Sequence, residues 1–203
     1  MNPLIQLEAT AKDEETEPKL ADIIDAIRHE YDTDMDDPDS EMRIRTWFDA
    51  ACYHWARVMT YGDHDARSLA IVAAVLERQD HDMIPALIAG LMDDTTIDDM
   101  RRFLDIAYDH RREDLPSRIL STCTGNGWGY VTLPAPTIMR TAMRHLDAII
   151  QNSADESTAA AHATTALLAA ATGMRDTARD AARQALRIDP GIPYDAWLEH
   201  LSR

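Results

Sequence analysis

Apolar residues recur along this chain at intervals of three and four from Glu17 onward, and no stretch sustains the every-second-residue alternation of a half-buried strand. The pattern predicts an all-α fold. A first helix is expected from Glu17 to Tyr31, with Leu20, Ile23, Ile24, Ile27 and Tyr31 on one face and His29 turned away. A second runs from Ser40 to Tyr61, N-capped by Asp39, and buries Ile44, Trp47, Phe48, Ala51, Trp55, Val58 and Met59. The next, Asp65 to Gln79, carries Leu69, Ile71, Val72, Val75 and Leu76 almost all the way round, which marks a helix covered on several sides.

Met83 to Met92 predicts a short apolar helix with Pro85 in its first turn, where a missing amide costs little. Thr95 and Thr96, each followed three residues on by Asp98 and Asp99, resemble capping boxes opening a helix to Arg112, and a shorter helix follows from Leu115 to Thr124. Gly125, Asn126, Gly127, Trp128 and Gly129 then interrupt regular structure. Pro136 opens a helix to Asn152 with Ile138, Ala142, Leu146, Ile149 and Ile150 inward. Two more helices, Glu156 to Thr172 and Met174 to Ile188, meet at Gly173, and a final short one aligns Tyr194, Trp197, Leu198 and Leu201. The expected architecture is a globular multi-helix domain of consecutive hairpins over residues 17–203, preceded by a flexible segment at 1–16.

Ala166, Ala178 and Ala185 stand where the last two long helices would touch, Gly173 at their turn, and Ala185-Leu186-Arg187-Ile188-Asp189-Pro190 at the close. In these positions the hairpin resembles a single tetratricopeptide unit, a helix-turn-helix with small contact residues and a closing proline. His162, Thr165, Ala169 and Ala182 replace the large residues that such a unit prefers, so the two helices are expected to approach closely. The same hairpin is similar to the C-terminal part of an uncharacterised actinobacterial domain-of-unknown-function family, a resemblance that carries no catalytic motif. Upstream there is no repetition near the tetratricopeptide period of about thirty-four residues, so the hairpin would end a globular domain, not a solenoid.

Composition narrows the function classes. Of 203 residues 45% are hydrophobic, which excludes a disordered chain, while 36 acidic against 20 basic residues give a net charge of -16 that would repel nucleic-acid phosphates and anionic membranes. Only Lys12 and Lys19 are lysine, and alanine is abundant, so part of the acidity reads as the habit of a GC-rich genome. Cys52 and Cys123 lie far apart without a CxxC or Cys-His pattern, which fits a reduced, cytoplasmic setting. Ile119 to Met139 is broken by glycine and proline, and Ser157 to Met174 is mostly Ala and Thr around His162, so neither is apolar enough for a membrane span.

Candidate chemistry is sparse. Asp32, Asp34, Asp36, Asp39 and Glu41 imitate a calcium loop, yet Asp37 stands where the turn needs glycine and Arg43 where the closing glutamate belongs. Asp63-His64-Asp65 and Asp80-His81-Asp82 resemble ligand triplets but flank one helix and would lie about 25 Å apart. The glycine loop has no Lys-Ser or Lys-Thr after it, which argues against a phosphate cradle. No catalytic residue, metal ligand or cofactor is assigned.

These features point first to a non-catalytic protein-interaction module whose partner is another protein, with Trp128 and Tyr130 as the candidate contacts. Two other classes stay open. An acidic mimic of nucleic acid could occupy a nucleic-acid-binding protein, since residues 1–65 hold 17 acids and 6 bases, and a hydrolase could assemble dispersed Asp and His only on folding. Calcium, zinc and chelators are expected to leave the melting temperature unchanged; a saturable rise with either metal would reveal a site that the spacing argument missed.

Overall fold

A computed structural model describes residues 19–36, 40–61, 65–78, 83–91, 136–192 and 194–203. Among them the chain forms α1 (Leu20–Met35), α2 (Ser40–Tyr61), α3 (Ala66–Arg78), α4 (Met83–Ala89), α5 (Pro136–Asn152), a 3-10 turn (Asp155–Ser157), α6 (Ala159–Ala171), α7 (Arg175–Ile188) and α8 (Asp195–Ser202), and no strand. The fold is all-α and multi-helical. Residues 1–16, the Asp39 cap, the helices expected over 95–112 and 115–124, Cys123, and the loop with Trp128 and Tyr130 lie outside the described residues.

The architecture follows from α3. Every residue from Ser68 to Leu76 is buried, so this helix has no solvent face and must be covered on all sides. It packs against α1, α2, α4, α5 and α6. α1 supplies Ile24, Ile27 and Tyr31, and α2 supplies Phe48, Ala51, Cys52, Trp55 and Val58. These merge with Leu87 of α4, Leu146 of α5, Leu167 of α6, Ala182 of α7 and Leu198 of α8 into one apolar core. The Trp55 indole is wholly enclosed and donates from Nε1 to the Leu87 carbonyl at 3.0 Å, which gives its polar atom a partner inside the core.

The C-terminal hairpin uses small residues to bring helices together. α6 pairs with α7 more extensively than any other two described helices, and α7 buries only Ala178, Ala181, Ala182 and Ala185. With alanines as the buried residues on the α7 side of that seam, the axes can approach toward the low end of the usual spacing, about 8 Å. Thr164 and Thr165 are buried in α6 and donate to the carbonyls of Ala160 and Ala161 at 2.8 and 2.9 Å, so neither hydroxyl is stranded. Gly173, at φ +75°, closes α6: its amide donates to the Ala170 carbonyl and the Met174 amide to that of Ala169, a Schellman turn that favours a residue lacking Cβ.

Several boundaries differ from the sequence reading: α1 begins at Leu20 and not at Glu17, α4 ends at Ala89 and not at Met92, and two further shifts have a visible cause. α1 continues to Met35 instead of stopping at Tyr31, because Asp32 meets Arg78 and Asp34 meets Arg43 and the Trp47 indole. The carboxylates at 32 and 34 therefore belong to a helix end held by ion pairs. Glu156 was expected to open the helix that actually begins at Ala159; the intervening turn sends the Ser157 hydroxyl to Glu77 Oε1 at 2.6 Å. Arg28 Nε donates to the other Glu77 oxygen at 2.6 Å, so one carboxylate ties α1, α3 and the entry to α6.

Among the described residues no helix is long and apolar enough to cross a membrane. In α8 the buried member of the expected stripe is Leu198, with Tyr194, Trp197 and Leu201 partly covered against the core. Trp55→Ala should accordingly lower stability by about 3–5 kcal/mol, and Trp197→Ala by less. Equal shifts of the two urea midpoints would contradict this ordering.

Candidate functional site

Two places in the fold bring together side chains with chemistry. The first is the start of α3, where Asp65 acts as N-cap: its Oδ1 accepts from the Arg67 amide at 3.1 Å and its Oδ2 from the Ser68 hydroxyl at 2.9 Å. These bonds, Ser68 first, hold the Asp65 carboxyl below its ordinary range. Ser68 also lies 2.7 Å from His54 Nδ1 on α2. A hydroxyl has one proton, and here it points to Asp65, so the imidazole must carry its hydrogen on Nδ1 and donate it to Ser68.

The order of this trio decides what it can do. In a hydrolytic triad the imidazole stands between serine and carboxylate, taking the serine proton while the carboxylate orients it. Here the serine stands in the middle. Its proton is committed to the carboxylate, its lone pair to the imidazole, and the side chain is buried. The trio fastens α2 to the cap of α3 and does not activate a nucleophile. His54 was not singled out in the sequence; its partner lies fourteen positions away on another helix, and no local spacing signals it.

The second place is the outward side of α5. Thr137, Arg140, Thr141, Arg144 and Asp147 recur at helical spacing opposite the buried Met139, Ala142, His145, Leu146 and Ile149. Met143 and, from the turn after Gly173, Met174 complete a groove of about 490 Å³. The Arg144 Nη2 reaches the Thr141 hydroxyl at 3.3 Å. Neither arginine has an ion pair among the described residues, whereas Arg28, Arg43, Arg67, Arg78 and Arg179 each meet a carboxylate.

On a third surface large hydrophobic side chains stand among polar ones. Met42, Tyr53 and Tyr61 of α2 are exposed to 73%, 50% and 78%, and Met42, Thr46, Tyr53 and Arg57 share one side of that helix. Tyr53 leans edge-on against the His54 ring with centroids 5.5 Å apart.

Of the residues singled out in the sequence, Asp65 caps α3, and Asp32 and Asp34 are bound to arginines; Asp63, His64 and the Asp80-His81-Asp82 triplet lie outside the described residues, as do Trp128 and Tyr130. Among the described residues no three His, Cys, Asp or Glu side chains are grouped to hold a metal ion.

Burial pushes both His54 and the half-buried His162 below the ordinary value of 6.5. The unfolded chain then takes up protons near 6.5 while the folded chain does so only at lower pH, so stability falls as pH drops through 6.5 and levels off below the folded values. A His54→Asn/His162→Gln variant should show a shallower loss of stability between pH 7 and 5; an unchanged slope would assign the loss to other histidines.

No family model, no curated protein and no solved structure matches this chain.

Proposed function

We propose that this protein is a non-catalytic helical interaction module that binds another protein. The observation that carries the reading is the outer side of α2, where Met42, Tyr53 and Tyr61 stand exposed on a helix whose other side is locked into the core. Tyrosine and methionine are enriched in protein interfaces, and a rigid helix presents them at little cost in chain entropy. Trp128 and Tyr130 belong to the same proposal as loop contacts. The seam of alanines and the Gly173 turn support reading α6 and α7 as one tetratricopeptide-like unit at the end of the domain.

The alternatives have less behind them. A nucleic-acid mimic needs carboxylates displayed without counter-charges, whereas Asp25, Asp32 and Asp34 each meet an arginine. A hydrolase needs a free nucleophile, and Ser68 is engaged on both sides.

Affinity capture from a lysate of the source organism, followed by reconstitution with the purified candidate, tests the reading. Wild-type protein should bind one partner at fixed stoichiometry, and Tyr53→Ala/Tyr61→Ala should lose most of that binding while shifting stability by no more than about 0.5 kcal/mol per site. Undiminished binding by the double variant would remove α2 from the interface, and ester or peptide hydrolysis abolished by Ser68→Ala would replace the proposal with an enzymatic one.

A further inference from the structure

The groove on α5 is a local exception in an acidic molecule. Residues 1–65 hold 17 acidic and 6 basic side chains, but residues 136–203 hold 8 and 7, and within that nearly neutral third Arg140 and Arg144 face outward side by side. Four residues apart on a helix, their Cβ atoms are about 5–6 Å from one another. Thr137 and Thr141 precede them by three residues each, and among the described residues lining the groove the one acid, Asp147, sits at its far end. Met143 and Met174 add an apolar wall made of side chains that adapt readily to different shapes.

We infer that this groove docks an acidic amphipathic helix from a partner protein. Carboxylates one turn apart on that helix meet Arg140 and Arg144, and an apolar residue between them seats on Met143 and Met174. The inference rests on the interaction-module reading and names the partner's chemistry. Length agrees with it: from Thr137 to Asp147 the groove follows α5 for about 15 Å, close to three turns of a second helix. Charge selects the partner, because the two guanidinium groups have no carboxylate on them among the described residues, and charge-assisted bonds to a carboxylate are the strong ones that arginine makes. Nucleic acid fits poorly. A duplex site typically engages about six to ten phosphates, and two arginines on a chain of net charge -16 supply far less.

The probe is a fluorescein-labelled peptide of Glu-Leu-Leu-Glu repeats about three helical turns long, with a twin in which Gln replaces every Glu. Anisotropy should rise with the acidic peptide and not with its twin, and affinity should fall as salt is raised. Arg140→Glu/Arg144→Glu should weaken binding by at least about tenfold, equivalent to about 1.4 kcal/mol, with an unchanged melting temperature because both side chains are exposed. Equal binding of the two peptides, an unaffected double variant, or comparable affinity for a single-stranded oligonucleotide would overturn the inference. Self-association abolished by the same charge reversal would assign the groove to a second copy of this chain instead. If the charge-reversed protein still captures its native partner at wild-type level, the groove is excluded and the module reading survives; if the wild-type protein captures nothing, the module reading fails on its own.

Discussion

The burial of α3 on all sides is the constraint from which the remaining arrangement follows. A helix with no polar side between Ser68 and Leu76 cannot rest on a surface, and each neighbour must offer it an apolar face. Transfer of each buried leucine, isoleucine or valine side chain from water contributes about 1.5–3 kcal/mol, whereas a half-exposed ion pair contributes about 0–1 kcal/mol. Packing therefore sets how strongly the helices associate. Polar groups on α3 are confined to its ends, and there they fix register: Asp65 and Ser68 toward α2, Glu77 toward Arg28 and Ser157, and Arg78 toward Asp32. An apolar cylinder can rotate or slide at small cost, but a cylinder with bonded ends cannot.

The same division explains why titratable groups in good supply do not make a catalytic centre at α3. A capping carboxylate accepts the hydrogen bond of the nearest hydroxyl, and in doing so leaves the imidazole only the role of donor. Reversing that order would require His54 to reach between Ser68 and Asp65, which are held one turn apart by the cap itself. Helix capping and nucleophile activation compete here for one proton, and capping has it.

How much of this was legible depended on whether the cause was local. The all-round apolar pattern of residues 69–76 identified the central helix because burial leaves its mark in consecutive residues. Gly173 and the alanines of α7 likewise announced a tight hairpin. The end of α1 is not legible locally, since the charges at Asp32 and Asp34 look like a loop until Arg78, Arg43 and Trp47 are brought up from other helices. His145 shows a second kind of failure: it lies on the buried side of α5 at helical spacing with Ala142 and Ile149, but a polar residue is passed over when a stripe is read by hydrophobicity alone. The α5 groove was invisible for a third reason, because Met174 reaches it only after the chain has turned back through α6.

Helix direction accounts for the contrast between paired and unpaired arginines. Side chains on a helix lean toward its N-terminus, so an arginine most readily meets a residue three or four positions before it. Arg28 and Arg179 find Asp25 and Asp176 there, and both pairs form. Arg140 and Arg144 find Thr137 and Thr141 instead, and the Arg144 guanidinium duly turns to the Thr141 hydroxyl. Asp147 follows Arg144 by three residues, the order in which the two side chains lean the same way and the charges engage less well. Among the described residues an acid-rich chain thus leaves two adjacent arginines without a carboxylate through register alone, with hydroxyls at the positions where carboxylates would have neutralised them, and that arrangement lets α5 present positive charge on a protein whose overall field is negative.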